Sequence, residues 1–371
     1  MKVVFITDQI YLHGGLERVL INRMNILCKL NTIDVFLITS KQNGNKACYK
    51  INSSITHFDI NINYNNSKSY FSFENLIKSP KHFLKLRDVL KKINPSCIVL
   101  SNFGFDFYFL PFTLKGIKKI KEFHSSRYYY SKEIKMASFF KKTINKINFY
   151  IEKRYDKLVL LNSDEKKYYH SQNTVVIPNF ISYSQKNKLE KQSKKNIIIA
   201  AGRIAPVKQF HHLIEAWSII SKDFPDWNVE IYGEGDKQLL DELIELIKKK
   251  TVSNIQFMGA TNKLNKKMED ASIYALTSAT ECFPMVLLEA LSCGLPIISY
   301  DCPHGPINII TNNKDGILVA HNNITAFAKE LSKLIYDTPL RAEMRENSLE
   351  NVTRFNEKNI ILKWLQLFKN I

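Results

Sequence analysis

The sequence predicts an α/β fold of two doubly wound domains, and three observations lead there. Short β-branched runs recur along all 371 residues, with amphipathic helical patterns between them. The runs are continuously apolar rather than alternating, as in parallel strands covered on both faces. A polar, lysine-rich stretch splits them into two series, and 371 residues is long for a single core.

In the first series the runs are "KVVFIT" (2–7), "IDVFLIT" (33–39), "CIVLSN" (97–102), "KLVLLN" (157–162) and "TVVIPN" (174–179), with a further apparent strand in "IKKIKEF" (117–123). The second series is "NIIIAAGR" (196–203), "NVEIYG" (228–233), "IQFMGA" (255–260), "SIYALTS" (272–278), "LPIISYD" (295–301) and "GILVA" (316–320). Between them "ISYSQKNKLEKQSKKN" has no apolar periodicity and reads as a linker. These signals place one domain at 1–180 and another at 181–354. The chain ends in "NEKNIILKWLQLFKN", whose apolar residues at 360, 361, 364, 365, 367 and 368 form one helical face in need of burial. Two such domains facing each other leave a cleft at the carboxyl ends of their strands, where open sheets bind ligands. The loops after strands are therefore where chemistry is expected.

Composition narrows the possibilities. Hydrophobic residues are 45% of the chain, enough for sizeable cores. No signal peptide is recognisable at the start, and no apolar run reaches the roughly eighteen residues of a membrane span. The six cysteines contain no C-x-x-C pair, so buried free thiols in a reducing cytoplasm are expected rather than a zinc site. The net charge of +18 is unevenly placed: residues 1–180 hold 29 Lys and Arg against 13 Asp and Glu, whereas 181–371 hold 24 against 22. The basic half suggests an anionic partner, a nucleic acid or a membrane surface. Within it, residues 131–157 combine eight basic residues with apolar side chains at helical spacing, from Met136 and Phe139 to Tyr150 and Ile151. Such a helix can lie in lipid headgroups, and Lys115, Lys118, Lys119 and Lys121 extend the patch if the fold brings them alongside.

Three loops carry candidate chemistry. After the first strand, Gly14 and Gly15 precede a helix, letting backbone N–H groups approach a phosphate or sugar. In "AAGRIAPVKQF" a strand ends at Gly202 and Arg203, and Lys208 opens a helix, so two cations stand beside a helix N-terminus in a pattern suited to a diphosphate. In "ECFPMVLLEALSCG" Glu281 lies in the loop after a strand, Pro284 suits a first helical turn, and Gly294 ends the helix. Glu281 and Glu289 then face the cleft, ready to accept hydrogen bonds from sugar and ribose hydroxyls. The free N–H groups of residues 283–286, around Phe283, Pro284 and Met285, point at the same region.

"SATECFPMVLLEALSCGLPII" resembles the E-x7-E motif of retaining glycosyltransferases of the family-4 type, which have the GT-B fold of two Rossmann-like domains. The "GG-x-ER" at 14–18, Arg203 with Lys208, "GEG" at 233–235 and "DCPHGPINII" at 301–310 fall in the family's order. The resemblance implies a sugar transfer from a nucleotide donor, by preference UDP-linked, to a lipid-linked or oligosaccharide acceptor, with retention of configuration. It implies that Arg203 and Lys208 hold the diphosphate, Glu289 the ribose and Glu281 the donor sugar. A His from the first domain commonly serves that sugar, and His124 in "EFHSSRYYY" is the candidate, with His304 a lesser one. The C-terminal helix is implied to return to the first domain. No metal or other cofactor is expected, since no D-x-D triplet occurs. Cys282 and Asn308 depart from the usual Gly and Glu, which bears on sugar identity. Two alternatives stand beside this reading: a UDP-sugar 2-epimerase of the same architecture, and a nucleic-acid-binding protein using the basic half. No RNA-binding motif supports the second, so the expected setting is the cytoplasmic, inner face of a membrane carrying bacterial cell-surface polysaccharide intermediates.

Overall fold

The structure is a computed structural model describing residues 1–65, 67–136, 138–182 and 194–371, with the side chains of residues 129, 132, 135, 136 and 140 outside the description. Most of the lysine-rich stretch read as a linker, 183–193, lies outside the described residues. The rest forms two compact units, Met1–Pro178 with Ile360–Ile371, and Asn179–Asn359. The sequence divided the chain after 354; the helical residues before Ile360 stay with the second unit. Asn356 bridges to Ile181, and Glu357 accepts a 2.7 Å hydrogen bond from Ser182.

The first unit holds β1 (Lys2–Thr7), β2 (Asp34–Thr39), β3 (Thr56–Asp59), β4 (Cys97–Leu100), β5 (Lys118–Glu122), β6 (Lys157–Leu160) and β7 (Thr174–Val176). They form one parallel sheet in the order β3-β2-β1-β4-β5-β6-β7. The second unit holds β8 (Ile197–Ala201), β9 (Asn228–Tyr232), β10 (Ile255–Gly259), β11 (Ile273–Leu276), β12 (Ile297–Tyr300) and β13 (Gly316–Val319), in the order β10-β9-β8-β11-β12-β13. Central strands are buried on both faces: Val3 to Ile6 and all of β4 are at most 1% exposed. β3, "THFD", escaped the sequence reading because it is an edge strand with no apolar run. Each sheet reverses direction once, between β1 and β4 and between β8 and β11, opening a crevice at the carboxyl ends of those strands.

The aromatic run at 102–112 divides its work. Phe105, Phe107 and Leu110 are core, whereas Phe103 and Phe112 are exposed. Cys97, Cys282, Cys293 and Cys302 are buried free thiols, but Cys28 and Cys48 are only half-buried. Burial pushes the Cys97 and Cys293 thiols up to about 12, so both stay protonated.

The basic segment forms two helices, Tyr128–Met136 and Phe139–Glu152. Lys132, Lys135, Met136 and Phe140 have side chains outside the described residues. Of the apolar face, Ile151 packs inward at 5% exposure, while Phe139, Ile147 and Tyr150 are 86%, 45% and 51% exposed. Lys119 and Lys121 do not extend the patch. Both are buried β5 side chains whose ammonium groups donate to main-chain carbonyls, Lys119 to Leu114 and Ile117, Lys121 to Leu100 and Glu122. Lys118 pairs with Asp156 at 3.4 Å, and Lys115 stays exposed. Among the described residues no helix is long and apolar enough to cross a membrane.

The C-terminal helix Glu357–Lys369 buries Ile360, Ile361, Trp364, Leu367 and Phe368. Its Trp364 lies under the guanidinium of Arg23, from the helix Gly15–Leu27, at 4.1 Å from the ring centroid. Trp364→Ala should therefore cost roughly 3–5 kcal/mol, the usual loss for a buried large aromatic. Leu362→Ala, at a 48% exposed position of the same helix, should cost under about 0.5 kcal/mol. Urea unfolding midpoints decide the matter, and equal midpoints for the two variants would mean that the helix is not part of the fold.

Candidate active site

In the second unit the loops after β8 and β11 meet. After Gly202 and Arg203 the chain makes a 3-10 turn, Pro206–Lys208, and the helix starts only at Phe210. Lys208 thus closes a turn rather than opening a helix, and Gln209 behind it has φ of 45°. The lysine stem crosses Gly202, where an added Cβ would meet its Cε at 3.1 Å. Its ammonium donates to Glu281 Oε1 at 2.6 Å, with side chains 18% and 13% exposed. Thr277 Oγ1 donates to the carbonyls of Lys208 and Gln209, and Ala279 N to that of Val207, locking the two loops together.

Glycines make this approach possible. Gly233, with φ of 145°, would place a Cβ 1.9 Å from the Gly202 oxygen. Gly235 would place one 2.2 Å from the Ile204 oxygen. The "GEG" turn thereby lies backbone to backbone on the Arg203 loop, with Ile204 N donating to Glu234 O and Asp236 N to Ile204 O, each at 2.9 Å. Glu281 is pinned from the other side by the β12 loop: its N–H donates to Pro303 O at 3.2 Å, and His304 N donates to Glu281 O at 3.1 Å. Asn308 Nδ2 closes that loop on His304 O at 2.6 Å.

The helix after Glu281 runs Met285–Ser292, with Pro284 as its cap residue and Gly294, φ 61°, beyond its end. Pro284 has no N–H, so the expected row of donors at 283–286 lacks one member. Glu289 is 1% exposed. The two glutamates do not both stand open: Glu281 is half-buried and salt-bridged, and Glu289 is sealed by the helix packing. Arg203 is exposed and has no hydrogen-bond or ion-pair partner among the described residues.

The first unit has its own cavity at its strand reversal, about 580 Å³ in volume. Asp8 and Gln9 follow β1, Asn102 and Phe103 follow β4, and Lys121 to Arg127 end and follow β5. Gly14 caps the helix Gly15–Leu27, and Glu17 folds back over it, holding Gln9 Nε2 at 2.5 Å. His124 faces this cavity, its Nε2 3.3 Å from Glu122 Oε2. Burial alone would raise the Glu122 carboxyl, but the Arg23 guanidinium and the His124 ring hold it well below the usual range. Lys121 is brought down to about 8 by burial, against the pull of Glu122 and Asp106. Asp106 is pushed up to about 6 by burial, and Asp8 is raised by burial and by Asp106. Asn102 Nδ2 lies between them, 2.6 Å from Asp8 Oδ1 and 3.5 Å from Asp106 Oδ1.

The sequence profile of "Glycosyl transferases group 1" matches residues 183–351, which span both loops of the Lys208–Glu281 contact. An uncharacterized glycosyltransferase of Haemophilus influenzae is 30% identical over 370 residues, 98% of each chain. The chain belongs to this glycosyltransferase family. A Campylobacter jejuni N-acetylgalactosaminyltransferase, named for a diNAcBac-PP-undecaprenol-linked acceptor, is 25% identical over 381 residues, covering 100% of this chain and 99% of that one. The fold is shared with S. aureus TarM, crystallised as a mutant with fondaparinux, alpha-GlcNAc-glycerol and UDP: TM-score 0.77, 17% identity, 99% of each chain.

This glycosyltransferase holds its predicted residues in two groups, one in each unit. Arg203, Lys208, Phe283, Pro284, Met285, Glu281 and Glu289 belong to the loops and helix at the β8–β11 reversal. Gly14, Gly15 and His124 belong to the β1–β4–β5 side of the first unit. Asp8, Asn102, Lys121 and Glu122 were missed. Their signal was available: each lies within two residues of a strand's carboxyl end, as "ITD", "LSN" and "IKE" show.

Asp106 offers a pH test of this buried polar floor. A carboxyl raised from 3.8 to about 6 contributes stability fully below the unfolded value, and that contribution is lost as pH rises through the folded one. Asp106→Asn does not titrate, so relative to the parent it should gain on the order of 2 kcal/mol between about pH 4 and pH 7.5. Melting temperatures at the two pH values measure this, and a constant difference would place the Asp106 carboxyl outside the linkage.

Proposed function

We propose that this glycosyltransferase transfers a hexose or N-acetylhexosamine from a UDP-sugar to a glycan acceptor, with retention of configuration and without a metal, in bacterial cell-surface polysaccharide assembly such as lipopolysaccharide O-antigen or capsule. The observation that carries the reading is the Lys208–Glu281 pair, which fixes a cation and an acid at 2.6 Å between the β8 and β11 loops, beside the amino end of a helix. A diphosphate arriving there competes for the lysine and meets the exposed Arg203 guanidinium, whose fork suits phosphate oxygens. Glu281, relieved of part of its pairing, accepts from the donor sugar; Glu289, buried at 1% exposure, accepts from the ribose once the entering donor uncovers its carboxylate. His124 is assigned to the reacting sugar. In the transfer the acceptor oxygen bonds to the anomeric carbon on the face the diphosphate leaves, the bond from that carbon to the phosphate oxygen breaks, and the departing phosphate takes the acceptor's proton. Charge developing on the phosphate is stabilised by Arg203, Lys208 and the helix N-terminus.

The UDP in the TarM crystals and the PP-undecaprenol in the Campylobacter protein's name support a UDP donor and a lipid-linked acceptor. Arg203→Ala and Lys208→Ala should each raise the barrier by roughly 1.5–3 kcal/mol, as loss of a charged hydrogen bond does. UDP should bind both variants more weakly while UMP binds as before; equal losses for UMP and UDP would remove the diphosphate assignment. Glu281→Ala should lower kcat, and Glu289→Gln should raise KM for the UDP-sugar.

We also propose that the first unit docks, from the cytoplasm, on the anionic inner face of the plasma membrane rather than on nucleic acid. Phe139, Ile147 and Tyr150 are exposed beside the exposed Lys141, Lys142 and Lys146, with the ring of Phe112 stacked on Tyr150. Each basic residue near an anionic leaflet contributes about 1 kcal/mol. The protein should sediment with phosphatidylglycerol vesicles and not with phosphatidylcholine vesicles, and salt or Glu at 141, 142 and 146 should release it. Equal sedimentation with both vesicle types would defeat the proposal.

A further inference from the structure

We propose that Glu122 is a positioning residue for His124, itself set by Arg23 and, behind it, by the C-terminal helix; the inference rests on the role of His124 given above. Glu122 is the last residue of β5, and His124 follows two positions on, where an extended chain brings side chains to the same side. Arg23 Nη1 and Nη2 grip the two oxygens of Glu122 at 2.8 and 2.6 Å. Ser101 Oγ, directly after β4, donates to Oε1. A carboxylate has about four acceptor sites, and these three donors leave one side of Oε2, the oxygen 3.3 Å from His124 Nε2.

The gripping fork is itself enclosed. The Arg23 guanidinium lies between the rings of Phe5 and Trp364, at 5.2 and 4.1 Å from their centroids. Arg23 is 2% exposed and Glu122 is fully buried. A buried ion pair adds little stability over apolar packing of the same volume. What it supplies here is direction: a carboxylate whose plane cannot turn, presented to one nitrogen of one ring. The contact is one of charge and distance, since Nε2 makes no aligned hydrogen bond among the described residues; the carboxylate's charge beside it favours a proton on Nε2, which leaves Nδ1 as the acceptor of the neutral ring. Strand β1, the helix Gly15–Leu27, the β4 end, the β5 end and the C-terminal helix each contribute one member of this chain.

Two measurements test it. The first is a cycle in UDP release from UDP-N-acetylglucosamine, using Glu122→Gln and the apolar replacement Arg23→Met with Glu122→Leu, each made with His124 and with His124→Ala. The apolar pair leaves no buried charge unpaired, so it serves if Glu122→Gln fails to fold. With His124 present, each should lower the rate roughly ten- to a hundredfold, the scale of a misplaced catalytic group. With His124→Ala, each should change it by less than about twofold. The second measurement is 15N NMR of histidine-labelled protein, the His124 signals being those lost in His124→Ala. The wild-type ring should be protonated at Nε2, and the apolar pair should let it sample both nitrogens. The same rate loss in both backgrounds, or an unchanged ring in the apolar variant, overturns the proposal. If His124→Ala alone leaves UDP release untouched, the role of His124 falls, while the NMR arm still decides whether Glu122 sets the ring.

Discussion

Both sheets of this protein are parallel and covered on both faces, and that constraint organises everything else. The central strands have no free edge along their length and no solvent-facing side, so few polar side chains stand in their middles. Chemistry is confined to the strand ends. Because each sheet reverses order once, the helices there leave on opposite faces, and the loops at the reversal part to form a crevice. The residues proposed for the sugar transfer sit at or near the carboxyl ends of strands: His124 beyond β5 in one unit, Arg203, Lys208, Glu281 and Glu289 beyond β8 and β11 in the other.

The two crevices handle charge differently. In the first unit the ionisable groups lie deep. Glu122 stays charged because the Arg23 guanidinium and the His124 ring beside it offset its burial, while Asp106 and Lys121, less well matched, are drawn toward their neutral forms. That arrangement is rigid, and it belongs to orientation. In the second unit the Lys208–Glu281 pair is partly exposed, and Arg203 is open to solvent. A partly exposed pair can trade its partner for an entering anion, as the proposed diphosphate role requires. The rigidity there is in the backbone instead, in the contact of Gly233 and Gly235 with the Arg203 loop.

The glycosyltransferase family sets the reaction class, and the two departures from its pattern fall on neighbouring loops. Cys282 is buried behind the Glu281 loop, and Asn308 spends its amide on the carbonyl of His304. Both departures from the family pattern therefore act on the loops that frame Glu281 rather than on Lys208 and Arg203.

Much of this was legible in the residues. Strand runs announced β1, β2 and β4 to β13, most plainly the central ones, where burial on both faces leaves an uninterrupted apolar record. The E-x7-E stretch and the Arg203–Lys208 spacing marked one group of site residues for the same reason: a loop beside a buried strand has little freedom in where it can go. The edge strand β3 was not legible, because an edge needs no apolar run. Neither was the fate of individual charges. Lys119 and Lys121 read as surface lysines and are buried, because alternation along β5 turns them inward onto carbonyls that sequence cannot locate. Glu289 read as open and is sealed. By itself, then, the sequence determined the sheets, their loops and the family's reactive residue types, all of which depend on local periodicity and spacing. Only the tertiary structure decided which charges meet. The partners Arg23 and Glu122, or Lys208 and Glu281, stand 99 and 73 residues apart, and no local pattern carries that distance.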